Sequence, residues 1–183
     1  MLYVLSITTL IIGTAAIYMP LIPIFPYTWL YYHYHIRNPI NWCLFIGLIG
    51  SVAYITVNTG AFQLWSIGPI TISLLALVLT YKMHQDKAFP AVDYPAIASD
   101  IDDLPIEDDM EIAVVEYDGV TKCYPLDYVI HHHVVNDKFN SKIVSLTYCA
   151  MCRSVMPFDV TQIGPLFVGS FYNANMIVAD RKT

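Results

Sequence analysis

The chain has 183 residues, of which 56% are hydrophobic, and a formal charge of −6. Its charges are segregated, because every Asp and Glu lies after residue 85 and only Arg37 and Lys82 are fully charged before that point. This distribution predicts a membrane region followed by a water-soluble region. The acidic balance excludes a nucleic-acid-binding surface, which would need clustered basic residues.

Residues 1–84 are predicted to form a membrane region with about three transmembrane helices. Residues 1–19 are an uncharged apolar run, close to the roughly 20 residues that cross a bilayer, and they lack a basic leader and a clear cleavage site. Two further spans are predicted at residues 42–62 and 67–83. The aromatic stretch 27–37, which ends in Arg37, is typical of a segment lying among lipid headgroups.

The predicted partners of this region are the lipid bilayer and other membrane-protein subunits. Gly47 and Gly50 place small residues on the second span, which favours packing against a partner helix. Arg37, Lys82 and Lys87 fall on one side of a three-span arrangement, and the positive-inside tendency then places the soluble region in the cytoplasm.

The remainder of the chain divides into residues 85–110 and 111–183. The first part is acidic and contains prolines, which predicts a linker that is either a solvated tether or a wrapping arm. The second part predicts a small, mostly β domain, so the fold class is membrane-anchored α+β. Within it, Asp118-Gly119 interrupts a β-rich run and predicts a hairpin, since both backbones tolerate the positive φ of a two-residue turn.

One helix is predicted inside the soluble domain. After Pro125 the apolar residues recur at helical spacing as far as Val134, and Asn136-Asp137 is expected to end the helix. Three histidines, residues 131–133, are successive on it and lie about 100° apart, so at most one or two can face a single site.

A Cys-x-x-Cys pair, Cys149 and Cys152, lies between two predicted strands, flanked by Tyr148 and Arg153 as candidate supporting residues. Such a pair either forms a redox disulfide or binds a metal ion. A thioredoxin-type pair begins a helix, but Pro157 would obstruct a helix here. A turn between strands is the arrangement of a metal knuckle. The redox alternative stays open because Arg153 would lower the pKa of a neighbouring thiol.

Candidate imidazole ligands come from the predicted helix. His133 falls on its apolar stripe and His132 to one side, and a histidine against an apolar face is often a core residue, so periodicity does not choose between them. Thiolate and imidazole ligands together are typical of zinc or copper, which are the predicted cofactors. Cys43 and Cys123 are interpreted as small buried hydrophobic residues.

Four motifs follow one another across the soluble domain. They are Cys123-Tyr-Pro-Leu, His132-His-Val-Val-Asn-Asp, Leu146-Thr-Tyr-Cys-Ala-Met-Cys and Gly169-Ser-Phe-Tyr-Asn-Ala-Asn. Their order resembles the family called domain of unknown function 3179, over roughly residues 111–183. The resemblance implies a fold and a site but no reaction, and it implies an extracytoplasmic location, because many members look exported. The side of the membrane therefore stays open.

The resemblance also implies which residues form the site. The family's histidine corresponds to His132, its Asn-Asp pair to Asn136 and Asp137, and its cysteines to Cys149 and Cys152. The set of metal-ligand candidates is therefore Cys149, Cys152 and His132, with His133 or Asp137 as a fourth ligand.

This chain departs from the family pattern in three ways. His133 stands where the family has a glutamate, and Ala150 and Arg153 replace the proline and glycine around the second cysteine. A glycine there accommodates positive φ, so Arg153 predicts a strained or differently shaped turn. Relatives continue beyond the position of Thr183, so a C-terminal truncation is expected.

Three functions are compatible with these residues. The leading hypothesis is a membrane-anchored zinc- or copper-binding domain. The alternatives are a thiol–disulfide or electron-transfer protein and a structural or accessory subunit of a membrane complex. No serine, carboxylate pair or phosphate-binding loop forms a catalytic pattern, so whether the protein is an enzyme stays open.

Overall fold

The computed structural model describes residues 1–22, 26–98, 107, 109–172 and 175–181. The chain divides into two compact units, Met1–Lys87 and Ala88–Thr183. The first contains apolar helices and the second is rich in β-strands, which confirms the α+β prediction.

The first unit is helical because its residues are almost uniformly apolar and lack charges that would need water. Its helices are α1 (Leu2–Tyr18), α2 (Tyr27–Thr59), α3 (Ile67–Lys82) and the short α4 (Gln85–Ala88). Three described segments are long and apolar enough to cross a membrane, namely Leu2–Leu21, Thr28–Thr59 and Leu64–Lys82.

Close packing joins these helices. A Cβ added at Gly13 of α1 would lie 2.5 Å from the Thr80 hydroxyl and 2.8 Å from the Ala76 carbonyl oxygen, so only a glycine fits at this crossing. The Asn41 amide of α2 donates a hydrogen bond of 2.6 Å to the same hydroxyl. Hydrogen bonds of this kind are characteristic of helices that associate within membranes.

The aromatic stretch 27–37 is part of α2, so the helix predicted at residues 42–62 begins earlier, at Tyr27. The location of this stretch among lipid headgroups stays a prediction. The Arg37 side chain is buried, with 4% exposed, and its Nη1 donates to the Tyr34 carbonyl at 3.0 Å. His33 forms a 2.9 Å hydrogen bond to the Ile12 carbonyl of α1. These contacts bring the aromatic part of α2 against its neighbours, a long-range effect that local composition does not reveal.

The described residues of the second unit form three sheets of hydrogen-bonded strands. Its elements are β1 (Val92–Asp93), β2 (Ile112–Tyr117), β3 (Val120–Pro125), α5 (Leu126–His132), β4 (Val134–Phe139), β5 (Lys142–Cys149), β6 (Ser154–Asp159), β7 (Leu166–Tyr172) and β8 (Asn175–Asp180). The described strands pair in the orders β1-β4-β5-β6, β2-β3 and β7-β8. All pairs are antiparallel except β1 with β4.

The predicted hairpin is confirmed as β2 and β3. Asp118 and Gly119 have φ of 52° and 74°, as a two-residue turn between twisted strands requires. The segment predicted as a tether or wrapping arm contributes β1, while residues 99–106 and 108 of its acidic run lie outside the described residues.

The predicted end of the helix was wrong. Helix α5 stops at His132, and His133 adopts φ of 61° and caps it through an N–H bond of 2.8 Å to the Val129 carbonyl. Asn136 and Asp137 lie in strand β4 and do not end the helix. A left-handed residue after the last helical turn is a common helix stop, but glycine or asparagine usually marks it.

The central sheet has apolar residues on both faces. One face contributes to a cluster that includes Val135, Val144, Leu146 and Tyr148. A second cluster combines Val134 and Val160 with Leu166 and Val168 of β7. Strand β5 is therefore buried from Val144 to Tyr148 and half-buried at both of its ends.

Candidate functional site

The two cysteines of the pair lie at one end of the hairpin formed by β5 and β6. Cys149 is the last residue of β5 and is half-buried, while Cys152 is exposed in the connection 150–153. Both are free thiols. Ser154 begins β6 and lies directly across from Cys149 in the strand register. The β5–β6 hairpin thus carries both cysteines at an accessible end.

The pKa of Cys149 is lowered from its ordinary value of 9.0. The largest cause is the Cys152 side chain, and the backbone N–H groups of Cys152 and Met151 add to it, while burial acts in the opposite direction. Donors that favour the charged sulfur increase the thiolate fraction, and the thiolate is the nucleophile and the metal ligand. This connection therefore activates Cys149 without a helix N-terminus.

Cys152 has a hydrogen-bond partner of its own. Its Sγ lies 3.2 Å from the Ser154 Oγ. The sequence analysis did not identify this serine, because serine is not a typical metal ligand or redox residue. The signal that could have identified Ser154 is its position in the sequence, two residues after Cys152 at the start of a predicted strand.

Arg153 has the positive φ that its replacement of a glycine predicts, with a value of 50°. Its guanidinium forms a double hydrogen bond with the Glu111 carboxylate, at 3.0 and 2.9 Å. The charge of Glu111 raises the pKa of Arg153, and a hydrogen bond to Tyr148 contributes to the same shift. Arg153 is thus paired with the Glu111 carboxylate. The pKa of Cys149 is lowered by hydrogen bonds to its sulfur, and Arg153 is not among the causes.

The candidate histidines are held by backbone carbonyls. His132 Nδ1 lies 2.7 Å from the Pro90 carbonyl oxygen, and His133 Nδ1 lies 3.1 Å from that of Tyr148. A carbonyl oxygen can only accept, so both rings carry a proton on Nδ1. The His133 ring also packs edge-on against Phe89, at a centroid distance of 4.7 Å.

Asn136 connects four strands from a fully buried position. Its side-chain amide donates to Asp93 of β1 at 2.7 Å and to the Leu166 carbonyl of β7 at 2.8 Å. Its carbonyl oxygen accepts from the Leu166 N–H at 2.9 Å and from the Ser145 hydroxyl. The candidate supporting role of Asn136 is therefore filled by contacts within the fold.

The Asp137 carboxylate is also occupied by the protein. Its Oδ2 accepts from Lys122 and Tyr124, each at 2.8 Å, and its Oδ1 accepts from the Lys138 N–H. Burial and the hydrogen bond to Asp137 raise the pKa of Tyr124. Asp137 is thus the centre of a local network of charged and polar groups.

The predicted metal ligands do not come together in the described part of the chain. No group of three or more His, Cys, Asp or Glu side chains is arranged there to hold a metal ion. The expectation that Cys43 and Cys123 are buried was also wrong, because both are exposed.

A unit of apolar helices followed by a mostly β domain defines the class of this protein. The family model described as "Protein of unknown function (DUF3179)" matches residues 86–183, which is more than half of the chain. The protein therefore belongs to this family. Comparison with curated proteins and with solved structures finds no match.

Proposed function

We propose that the β domain carries a dithiol, Cys149 and Cys152, that exchanges with disulfides, and that the apolar helices anchor it in a membrane. The observation that carries this proposal is that Cys149 and Cys152 are both free thiols at one end of the β5–β6 hairpin, Cys149 half-buried and Cys152 exposed. Cys152 also lowers the pKa of Cys149. Thiol–disulfide exchange needs only these two sulfur atoms, whereas a structural zinc site needs four ligands.

The reaction is balanced with a disulfide as the second reactant. The Cys149 thiolate attacks one sulfur of the incoming disulfide, forming a mixed disulfide and releasing the other sulfur as a thiolate. The Cys152 thiolate then attacks Cys149 Sγ and releases the second sulfur. The domain is oxidised to a Cys149–Cys152 disulfide, and the incoming disulfide is reduced to two thiols.

The test uses the full chain in detergent with excess glutathione disulfide, followed by acid quenching, alkylation and peptide mapping. We expect a Cys149–Cys152 disulfide that dithiothreitol reverses. The Cys152→Ser variant should stop at a mixed disulfide of glutathione with Cys149, because the resolving thiol is gone. Cys123→Ser is the matched control and should behave as the wild type. Free thiols at both positions throughout would contradict the proposal.

Zinc or copper binding is the second candidate, and the orientation of the histidines favours it. Metal-binding histidines commonly donate their other ring N–H to a carbonyl, as His132 does to Pro90. Copper in its reduced state is suited to two soft thiolates, so Cys149 and Cys152 would be its ligands. Elemental mass spectrometry of the full chain tests this. Near-stoichiometric metal in the wild type that is lost in both Cys149→Ser and Cys152→Ser would favour metal binding over exchange.

A role as an accessory subunit of a membrane complex stays a prediction. It is supported by Gly47 and Gly50 of α2, where an added Cβ would meet nothing within 4 Å. Small residues on such a surface allow a partner helix to approach closely.

A further inference from the structure

We infer that Ser154 is a positioning residue of the dithiol, whose hydroxyl donates to Cys152 Sγ and stabilises the reduced pair. This inference rests on the proposed exchange function and adds the group that regulates its equilibrium. Two independent geometric facts support it. Ser154 lies opposite Cys149 in the register of β5 and β6, and its Oγ is 3.2 Å from Cys152 Sγ.

Ser154 is connected to Cys149 through Cys152. Its hydroxyl lies 3.2 Å from Cys152 Sγ and is the inferred donor to that sulfur, and Cys152 is in turn the main cause of the lowered pKa of Cys149. A donor to Cys152 holds this thiol in place and offsets the negative charge that its sulfur gains when it becomes the attacking thiolate. Ser154 therefore acts on Cys149 through Cys152.

This arrangement favours the reduced state. In the disulfide, neither sulfur carries a proton or a negative charge, so hydrogen bonds to the two sulfur atoms are weakened or lost. A group that stabilises only the dithiol makes the pair a stronger oxidant, as reduced-state stabilisation does in other dithiol proteins. Removal of the hydroxyl should consequently shift the equilibrium toward the disulfide.

The experiment measures the equilibrium of the full chain in detergent with mixtures of glutathione and its disulfide. The matched variants are Ser154→Thr and Ser154→Val, which have nearly the same shape and differ in the hydroxyl group. We expect Ser154→Val to raise the equilibrium constant for oxidation roughly two- to tenfold, the effect of losing one hydrogen bond. Ser154→Thr should stay close to the wild type, and Thr121→Ala is the control for removing a hydroxyl from an exposed strand position.

A second readout separates positioning from general stability. The pH profile of Cys149 alkylation should move to higher pH in Ser154→Val and not in Ser154→Thr. Equal constants and profiles for these two variants, in a protein that forms the disulfide, would overturn the inference and leave the proposed function intact. If the wild type forms no disulfide, the proposed function and the inference both fail.

Discussion

The side chains of Lys122 and Asp137 form an ion pair across the β domain, with 2.8 Å between Nζ and Oδ2, and both are largely buried. Replacing Asp137 with asparagine leaves Lys122 without its carboxylate in a site of low dielectric constant. We expect a loss of about 3 kcal/mol or more in the free energy of unfolding. Urea unfolding of the detergent-solubilised chain, followed by near-ultraviolet circular dichroism, measures this loss.

Asp127→Asn is the control for this variant, because Asp127 is exposed on α5. It should change the free energy of unfolding by no more than about 0.5 kcal/mol. If the two variants behave alike, the Lys122–Asp137 pair does not stabilise the domain.

The reactivity of Cys149 should depend on the donor at position 152. The lowered pKa comes first from the Cys152 side chain, so Cys152→Ala should move the alkylation profile of Cys149 toward the ordinary value of 9.0. Cys152→Ser keeps a hydroxyl donor and should give a profile below that of the alanine variant. Iodoacetamide rates between about pH 6 and 10 measure this, since only the thiolate reacts. Identical profiles in the two variants would show that the side-chain hydrogen bond does not set the pKa.

Arg153 carries a backbone strain that a glycine would relieve. Both Arg153→Gly and Arg153→Ala remove the ion pair with Glu111, which is exposed and contributes little. The alanine must adopt the same φ of 50°, so we expect the glycine variant to be more stable by about 1 kcal/mol. The difference between their urea midpoints measures this strain. An alanine variant as stable as the glycine variant would indicate that the turn changes its conformation.

The helix crossing at Gly13 should tolerate no larger residue. Gly13→Ala places a methyl group against Thr80 and Ala76, and such overpacking typically costs about 1–3 kcal/mol. Gly50→Ala is the matched control, because no atom lies within 4 Å of its added Cβ. Thermal loss of helical circular dichroism in detergent should occur at a lower temperature in the first variant only. A lowered transition in both would show that the loss does not come from the contacts at Gly13, because alanine is otherwise the better helix former.

Local signals in the sequence were sufficient for the general architecture. Charge segregation separated the apolar helices from the β domain, and Asp118-Gly119 marked a hairpin whose turn has the expected positive φ. Arg153 stands where the family pattern has a glycine, and this likewise predicted a positive φ at that position. Each of these features depends on residues that are adjacent in the chain.

Features that depend on distant contacts could not be predicted in this way. Asn136 was expected to end a helix, but its bonds to Asp93 and Leu166 hold it in a strand. The burial of Arg37 depends on packing between helices, and the pairing of Lys122 with Asp137 depends on how two hairpins meet. Periodicity contains no information on such pairs.

The central claim is that Cys149 and Cys152 form a reversible dithiol, and the reduction potential of the full chain tests it most directly. Equilibration with glutathione buffers, followed by acid quenching and thiol counting by mass spectrometry, gives this potential. The account predicts a two-electron transition of the Cys149–Cys152 pair between roughly −180 and −270 mV, the range of exchange proteins. The claim would be contradicted if both thiols stay free in the most oxidising buffer, or if the disulfide is stable below about −300 mV like a structural one.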